Sequence, residues 1–197
     1  MIVKDFMTPD PVTMSPDEHI EETLETMKSL NFRQCPVVED GKLVGIVTDR
    51  DVRASLIGGK HPKVRDIMST GPVTILDYAS VEGAAEIIRS GKFNALPVVN
   101  ARNELVGILT VTDLLDAFLK LMNFHEKPVR LEVLMSEDLG MFDVLHLLQN
   151  NSEKVLSFSA APENRRLYYF WVIKCNFGQI EKELRKKNSK VSIIHTK

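Results

Sequence analysis

The pattern running from Val3 to Asp51 is written again from Val64 to Asp113, and a chain that repeats about sixty residues must fold them the same way twice. Setting residue n against n+61 aligns Val3-Lys4-Asp5-Phe6-Met7 with Val64-Arg65-Asp66-Ile67-Met68, Pro11-Val12-Thr13 with Pro72-Val73-Thr74, and Pro36-Val37-Val38 with Pro97-Val98-Val99. Between residues 3 and 38, 13 of 36 positions are identical. One extra residue in the turn Asn100 to Glu104 moves the offset to 62, after which Leu43-Val44-Gly45-Ile46, Thr48 and Asp51 recur as Leu105-Val106-Gly107-Ile108, Thr110 and Asp113.

Each copy predicts the order β-α-β-β-α. Pro-Val-Thr-Met or Pro-Val-Thr-Ile is a short strand, and Ile20, Leu24 and Met27, or Val81, Ala85 and Ile88, mark the apolar face of a helix. Cys35 to Val38 and Lys42 to Val47 then form two strands around Glu39-Asp40-Gly41, as Leu96 to Val99 and Glu104 to Leu109 do around Asn100 to Asn103. A final helix starts near Asp51 or Asp113. The linker Gly58-Gly59-Lys60-His61-Pro62 separates the copies, which gives units at 1–60 and 61–124.

A second boundary falls near His125-Glu126-Lys127-Pro128, where the duplication ends. Val129, Leu131 and Val133 alternate as a strand; Phe142, Leu145 and Leu148 suit a helix; Val155 to Ala160 and Leu167 to Cys175 pair across Pro162-Glu163-Asn164. Ile180 and Leu184 mark a second helix and Val191 to Ile194 a last strand. Residues 129–197 therefore predict a third unit with the ferredoxin-like order β-α-β-β-α-β, and the fold class is α+β.

The repeated Thr-x-x-Asp at the end of an apolar strand admits two readings. Ser/Thr-x-x-acid opening a helix is a capping box, in which hydroxyl and carboxylate satisfy backbone donors. The same place, a helix N-terminus with a carboxylate beside it, suits a phosphate and the two hydroxyls of a ribose. Both roles can reside in one residue pair. The identical frame of the two occurrences, each with a Pro-Val-Thr strand and an apolar-x-Pro-Val strand at matching distances, weighs toward a pocket.

On Asp5-x-Met7 and Asp66-x-Met68, on Gly45-Ile-Val-Thr48-x-x-Asp51 and Gly107-Ile-Leu-Thr110-x-x-Asp113, and on the Pro-Val-Val strands, residues 1–122 resemble a pair of cystathionine-β-synthase (CBS) motifs. The resemblance implies a disc-like pair of units whose two clefts take adenosine-containing ligands: AMP, ADP, ATP or S-adenosylmethionine. It implies that the Asp holds the ribose hydroxyls, that the Thr lies near ribose and phosphate, and that backbone around the apolar-x-Pro strand frames adenine. Carried onto this chain, Thr13, Cys35, Pro36, Thr48 and Asp51 line one cleft, and Thr74, Asn94, Leu96, Pro97, Thr110 and Asp113 the other.

The clefts are not expected to be equal. Arg33, Arg50 and Arg53 surround the first motif, planar cations suited to bidentate phosphate contact, whereas Asn94, Thr112 and Leu115 occupy the aligned positions of the second. The first cleft is then the one for the more phosphorylated ligand. The competing reading makes these arginines solvated helix-face charges, and Lys4, Lys63 or Arg65 of the opposite copy would blur the asymmetry.

The tail resembles an ACT domain, and a CBS pair followed by ACT is the arrangement of acetoin-utilisation (AcuB-like) proteins. ACT domains carry an Asp three residues before a Gly in the first strand-to-helix turn. Here Glu137 stands at that distance from Gly140 and Asp138 one residue later, so an effector site at Asp138, Leu139 and Gly140 departs from the pattern. Tyr168 to Ile173 is apolar on both faces, which fits a central strand with helices on one side and a partner sheet on the other.

Other functions find little in the sequence. A formal charge of −2 gives no field for nucleic acid, and Arg185-Lys186-Lys187 reads as a helix end. Cys35 and Cys175 have no CxxC spacing and sit in apolar segments, which predicts reduced thiols. Met1 to Asp10 lacks the apolar stretch of a signal peptide, and no run is long enough to cross a membrane. The five histidines, His19, His61, His125, His146 and His195, show no metal-binding spacing, and Gly58-Gly59-Lys60 is not a phosphate-binding loop. The expectation is a cytoplasmic, non-catalytic regulator without a required cofactor. It senses an adenosine-type ligand, forms a homodimer through apolar helix faces and signals to a protein partner. The alternative is a ligand-free interaction module.

Overall fold

The computed structural model describes residues 1–56, 61–122 and 127–194. The linker glycines with Lys60, the expected second boundary at His125-Glu126, and His195 lie outside the described residues. The chain divides into two compact units, Met1–Ala117 and Phe118–Lys197.

In the first unit, one turn of 3-10 helix at Val3–Asp5 leads to β1 (Thr8–Pro9), α1 (Ile20–Ser29), β2 (Gln34–Glu39), β3 (Lys42–Thr48) and α2 (Asp49–Ser55). The second copy repeats the series as a 3-10 turn at Val64–Asp66, β4 (Ser69–Thr70), β5 (Ile75–Leu76), α3 (Val81–Gly91), β6 (Ala95–Val99), β7 (Leu105–Thr110) and α4 (Val111–Leu121). Of each Pro-Val-Thr-apolar stretch, only the end is paired. Met14 bridges Val37 and Ile75–Leu76 runs beside Val98–Val99, both parallel. Pro11 and Pro72 lack the N–H that would extend the ladder.

The copies trade their leading segments. β1 pairs with β7 of the second copy, Thr8 opposite Ile108, and β4 pairs with β3 of the first, Thr70 opposite Gly45. The sheets accordingly read β1-β7-β6-β5 and β2-β3-β4. Val3, fully buried, belongs to the core of Ile75, Ala84, Leu96, Val98 and Leu109, and Val64 to the core of Ile20, Met27, Cys35, Val37 and Val47. A Cβ on Gly107 would stand 2.4 Å from Met7 Sδ, and one on Gly45 2.7 Å from Met68 Sδ. Only glycine leaves room for these methionines. The Asp-x-Met and Gly-Ile motifs, which the sequence repeats far apart, are thus the two halves of one contact made twice.

Two helix faces differ from expectation. In α3 the buried residues are Val81, Ala84 and Ile88, while Ala85 is exposed. The Ser80 side chain, accepting from Gly83 N at 3.0 Å, sets where the helix starts and so which of two adjacent alanines faces the sheet. In α5 (Met141–Asn151) Leu148 is buried and Leu145 half-buried as expected, but Phe142 is 86% exposed and Val144 is buried in its place.

The second unit runs β8 (Val129–Leu134), α5, β9 (Ser152–Ala161), β10 (Asn164–Cys175), α6 (Phe177–Lys186) and β11 (Lys190–Ile194). Its antiparallel sheet has the order β11-β8-β10-β9. Leu131, Val133, Phe170 and Val172 pack with Val144, Leu148, Ile180 and Leu184. Trp171 and Ile173, on the opposite face of β10, are also buried, so this strand is covered on both sides as its composition predicts. The molecule is an α+β pair of β-α-β-β-α repeats followed by a separate β-α-β-β-α-β unit.

Candidate functional site

In each copy the candidate residues gather where one strand starts and its neighbour ends. Gln34 pairs with Thr48 and Ala95 with Thr110. Asp49 N donates to Arg33 O at 2.8 Å, and Val111 N to Asn94 O at 3.1 Å, which ties the residue before each inner strand to the first turn of the following helix. Beside β2 on its other edge runs Val12 to Met14. Met14 N donates to Pro36 O at 3.0 Å, and the Cys35 thiol donates to Val12 O at 3.0 Å. Thr13 is therefore held two strand spacings from Thr48, about 10 Å.

The two Thr-x-x-Asp motifs are complete capping interactions and nearly superimpose in geometry. Asp51 Oδ2 accepts from Thr48 N at 3.0 Å and Thr48 Oγ1 at 2.6 Å, while Asp51 N donates to Thr48 Oγ1 at 3.3 Å. The corresponding distances for Thr110 and Asp113 are 2.7, 2.8 and 3.2 Å. All of this employs one oxygen of each carboxylate. Among the described residues Oδ1 of Asp51 and of Asp113 has no hydrogen-bond partner, and both side chains are half-buried. Each motif thus closes its helix and still presents an acceptor, fixed in direction by the cap.

The remaining candidates divide by exposure. Cys35, Pro36, Leu96 and Pro97 are buried, so they can offer a ligand only backbone. Burial pushes the Cys35 thiol up to about 12, far from reactive. Thr13, Arg33, Arg50 and Asn94 are exposed, and Thr74 is half-buried.

Of the three arginines, Arg53 is spoken for: its Nε donates to Asp49 Oδ2 at 2.7 Å, and this bond chiefly holds the Asp49 carboxyl below its ordinary range. Arg33 and Arg50 make no ion pair among the described residues. Two cross-copy cations are also engaged. Lys63 Nζ lies 2.9 Å and Arg65 Nη2 2.7 Å from Asp17, and Arg65 reaches Glu39 at 3.7 Å. These pairs dock the second leading segment on the first copy, a role that sequence reasoning missed. The signal was available in the two acids, Asp17 and Glu39, whose counterparts at the aligned positions are Tyr78 and Asn100.

In the second unit, the Leu139 side chain is buried in the core and also lines a cavity with Asp143, His146, Asn150, Glu183 and Lys187. Gly140 is the N-cap of α5, its N–H donating to Asp143 Oδ2 at 3.3 Å, and Asp138 is exposed. Among the described residues no three His, Cys, Asp or Glu side chains cluster as metal ligands, and no helix is long and apolar enough to cross a membrane.

Comparison with known proteins places this geometry. CBSX2 of Arabidopsis thaliana, solved in complex with AMP, is 34% identical, with a TM-score of 0.56 over 61% of this chain and 97% of that one. The CBS pair of protein MJ0100, in complex with 5'-methylthioadenosine and S-adenosyl-L-methionine, is 28% identical, with a TM-score of 0.56 over 60% and 95%. A candidate acetoin utilization protein (AcuB) of Vibrio cholerae is 28% identical, with a TM-score of 0.58 over 64% and 96%. The chain is also 37% identical to the inosine-5'-monophosphate dehydrogenase of Methanocaldococcus jannaschii over 107 residues, 54% of this chain and about a fifth of that protein's length. The family described as CBS domain matches residues 3–58 and 64–120, each match spanning one copy of the repeat and ending past its Thr-x-x-Asp motif, and the chain therefore belongs to the CBS-domain family.

Proposed function

We propose that the CBS pair is a non-catalytic sensor of adenosine-containing ligands, AMP, ADP, ATP or S-adenosylmethionine. The observation that carries this reading is Oδ1 of Asp51 and Asp113, unpartnered among the described residues, an acceptor positioned by a cap that occupies only Oδ2. A ribose diol donates to such an oxygen. Thr13, Thr48, Thr74 and Thr110 flank the sugar, backbone of Cys35-Pro36 and Leu96-Pro97 frames adenine, and Arg33 and Arg50 meet phosphate in the first cleft. The complexes of CBSX2 with AMP and of MJ0100 with two adenosine compounds support the ligand class.

The third unit is proposed as an ACT-like domain on its strand order, with an effector contact at Asp138, Leu139 and Gly140. Signalling passes through a homodimer and a protein partner in the cytoplasm. The homodimer reading draws on α4, whose Val111, Leu115 and Phe118 are 48%, 55% and 52% exposed at helical spacing. The same stripe favours the second reading, a ligand-free interaction module. A thermal-shift titration separates them. A ligand at about 100 times its Kd adds roughly 2.7 kcal/mol to stability. A rise with AMP, ATP or S-adenosylmethionine that disappears in Asp51→Asn with Asp113→Asn supports the sensor; flat curves with all of them leave the interaction module.

A further inference from the structure

The segment that walls the first cleft is one rung short, and a side chain replaces the rung. Val12 to Met14 runs beside β2 with Met14 bridged in parallel to Val37. Met14 N donates to Pro36 O at 3.0 Å and Val38 N to Met14 O at 2.9 Å, the evenly spaced bonds of a parallel ladder. The next bond, toward the start of β2 where the candidate residues gather, belongs to the N–H of residue 36 and the carbonyl of Val12. Residue 36 is proline and has no N–H. At that place the Cys35 thiol donates to Val12 O at 3.0 Å. Pro36 O, the other acceptor in reach, is farther away at 3.6 Å and already takes the Met14 N–H. Cys35 is fully buried, and a thiol pushed up to about 12 keeps the proton that it donates.

We infer that the Cys35 thiol is a positioning group for the first cleft, replacing the bond that Pro36 cannot make and holding Val12 and Thr13 against β2. On the adenosine reading of that cleft, on which this assignment rests, Thr13 flanks the sugar and the backbone of Cys35-Pro36 frames the base. A wall fixed before the ligand arrives costs less to order on binding. The thiol matters in this copy because the ladder also stops at its other end: the residue that would donate to Val38 O is Pro16. The second copy is tied differently. Pro97 leaves the same gap there and Leu96, aligned with Cys35, has no donor to fill it, but Asp77, aligned with Pro16, donates its N–H to Val99 O at 3.0 Å. One wall is held from the cleft end and the other from the far end.

Hydrogen exchange of the ligand-free, full-length protein tests the tether, and AMP titration tests its consequence. In Cys35→Ala, with its fold checked by circular dichroism, the Met14 and Val38 N–H groups should exchange about tenfold faster than in wild type, while those of Ile75 and Val99 keep their rates. Cys35→Ser, whose hydroxyl is again a donor, should restore protection. In an Asp113→Ala background, which leaves the first cleft, Cys35→Ala should weaken AMP binding by about three- to tenfold and Cys35→Ser should return it. Exchange that speeds equally at all four amides, or a serine variant that behaves like alanine, overturns the tether. Altered exchange with unchanged AMP affinity overturns the positioning role. Absence of AMP binding in the wild type would strike the adenosine reading and the positioning role with it, while the exchange rates would still decide the tether.

Discussion

The first copy is ionic where the second is apolar. At the start of α2, Asp49 and Arg53 form an exposed ion pair, and the aligned positions of α4 are Val111 and Leu115, both about half exposed. Where the leading segments dock, Asp17 binds Lys63 and Arg65, and the positions aligned with Asp17 and Lys63 are Tyr78 and Ile2. Meanwhile the capping geometry and the glycine-methionine contacts agree between copies to within a few tenths of an ångström. Residues that the backbone itself requires have stayed alike. The charged pairs around them have diverged, including the Asp17 pairs that hold the second leading segment, so the copies share a backbone frame and differ in surface charge.

The largest effect expected on this comparison is in ligand binding. Replacing both Asp51 and Asp113 by alanine should weaken AMP binding by about 100-fold, roughly 2.7 kcal/mol, in a calorimetric titration. Each single variant should abolish one class of site. The alanine changes also remove caps at about 0.5–2 kcal/mol each, so Asp→Asn variants, which keep an acceptor for Thr48 N or Thr110 N, separate the roles. If the asparagine forms bind AMP as well as wild type, the ribose role is wrong and the motif is only a cap.

Next in size are the exchanged contacts. Gly107→Ala and Gly45→Ala should each lower unfolding stability by about 1–3 kcal/mol in urea, because the new methyl meets the methionine sulfur and a backbone oxygen, Thr8 O at 3.0 Å or Ser69 O at 3.1 Å. Gly107 should be the more sensitive, its sulfur contact being shorter. A double-mutant cycle of Gly107→Ala with Met7→Ala should recover part of the loss; strict additivity would show that the contact is not the cause.

A smaller effect tests the charge difference. Arg50→Ala should weaken ATP binding at the first cleft by about tenfold and adenosine binding hardly at all, an effect of one charge-assisted contact. Thr112→Arg should move the second cleft toward the first. Equal losses for ATP and adenosine in the arginine variant would return Arg50 to the solvated surface.

The smallest effect is with pH. The Lys63 hydrogen bond, with Arg65 nearby, holds the Asp17 carboxyl below its ordinary value. A depressed carboxylate contributes stability that is fully present above the unfolded value, about pH 4, and is lost as pH falls through the folded one. The docked segment Val64–Thr70 should thus lose hydrogen-exchange protection below about pH 4 sooner than Val3–Pro9, whose aligned contact carries no acid. Asp17→Asn should erase the difference between the two segments.

Much of this fold is legible in the sequence because duplication tests every assignment twice. The strands Cys35 to Val38 and Lys42 to Val47, their counterparts, and the order of the tail follow from alternation and turn residues. The sides of α3 and α5 did not, since Ala84 and Ala85, or Phe142 and Val144, fit the same periodicity until a cap or a sheet contact chooses between them. The candidate site is a set of residue identities that the sequence proposes. Whether Asp51 caps or binds was not, because the two readings use the same pair and differ only in which oxygen is occupied.

By itself the sequence determined that there are two equivalent units and a third of another kind, where each Thr-x-x-Asp lies, and which copy carries the cations, since these depend on local pattern and side-chain chemistry. Only the tertiary structure decided that the leading segments cross to the opposite copy, that Arg53 and Arg65 are consumed by Asp49 and Asp17 while Arg50 has no ion pair among the described residues, and that Arg130 lies across the Tyr169 and Trp171 rings. The physical reason is the same in each case. Pairing across strands and between charges depends on distances set by residues far apart in the chain, and local pattern carries no record of them.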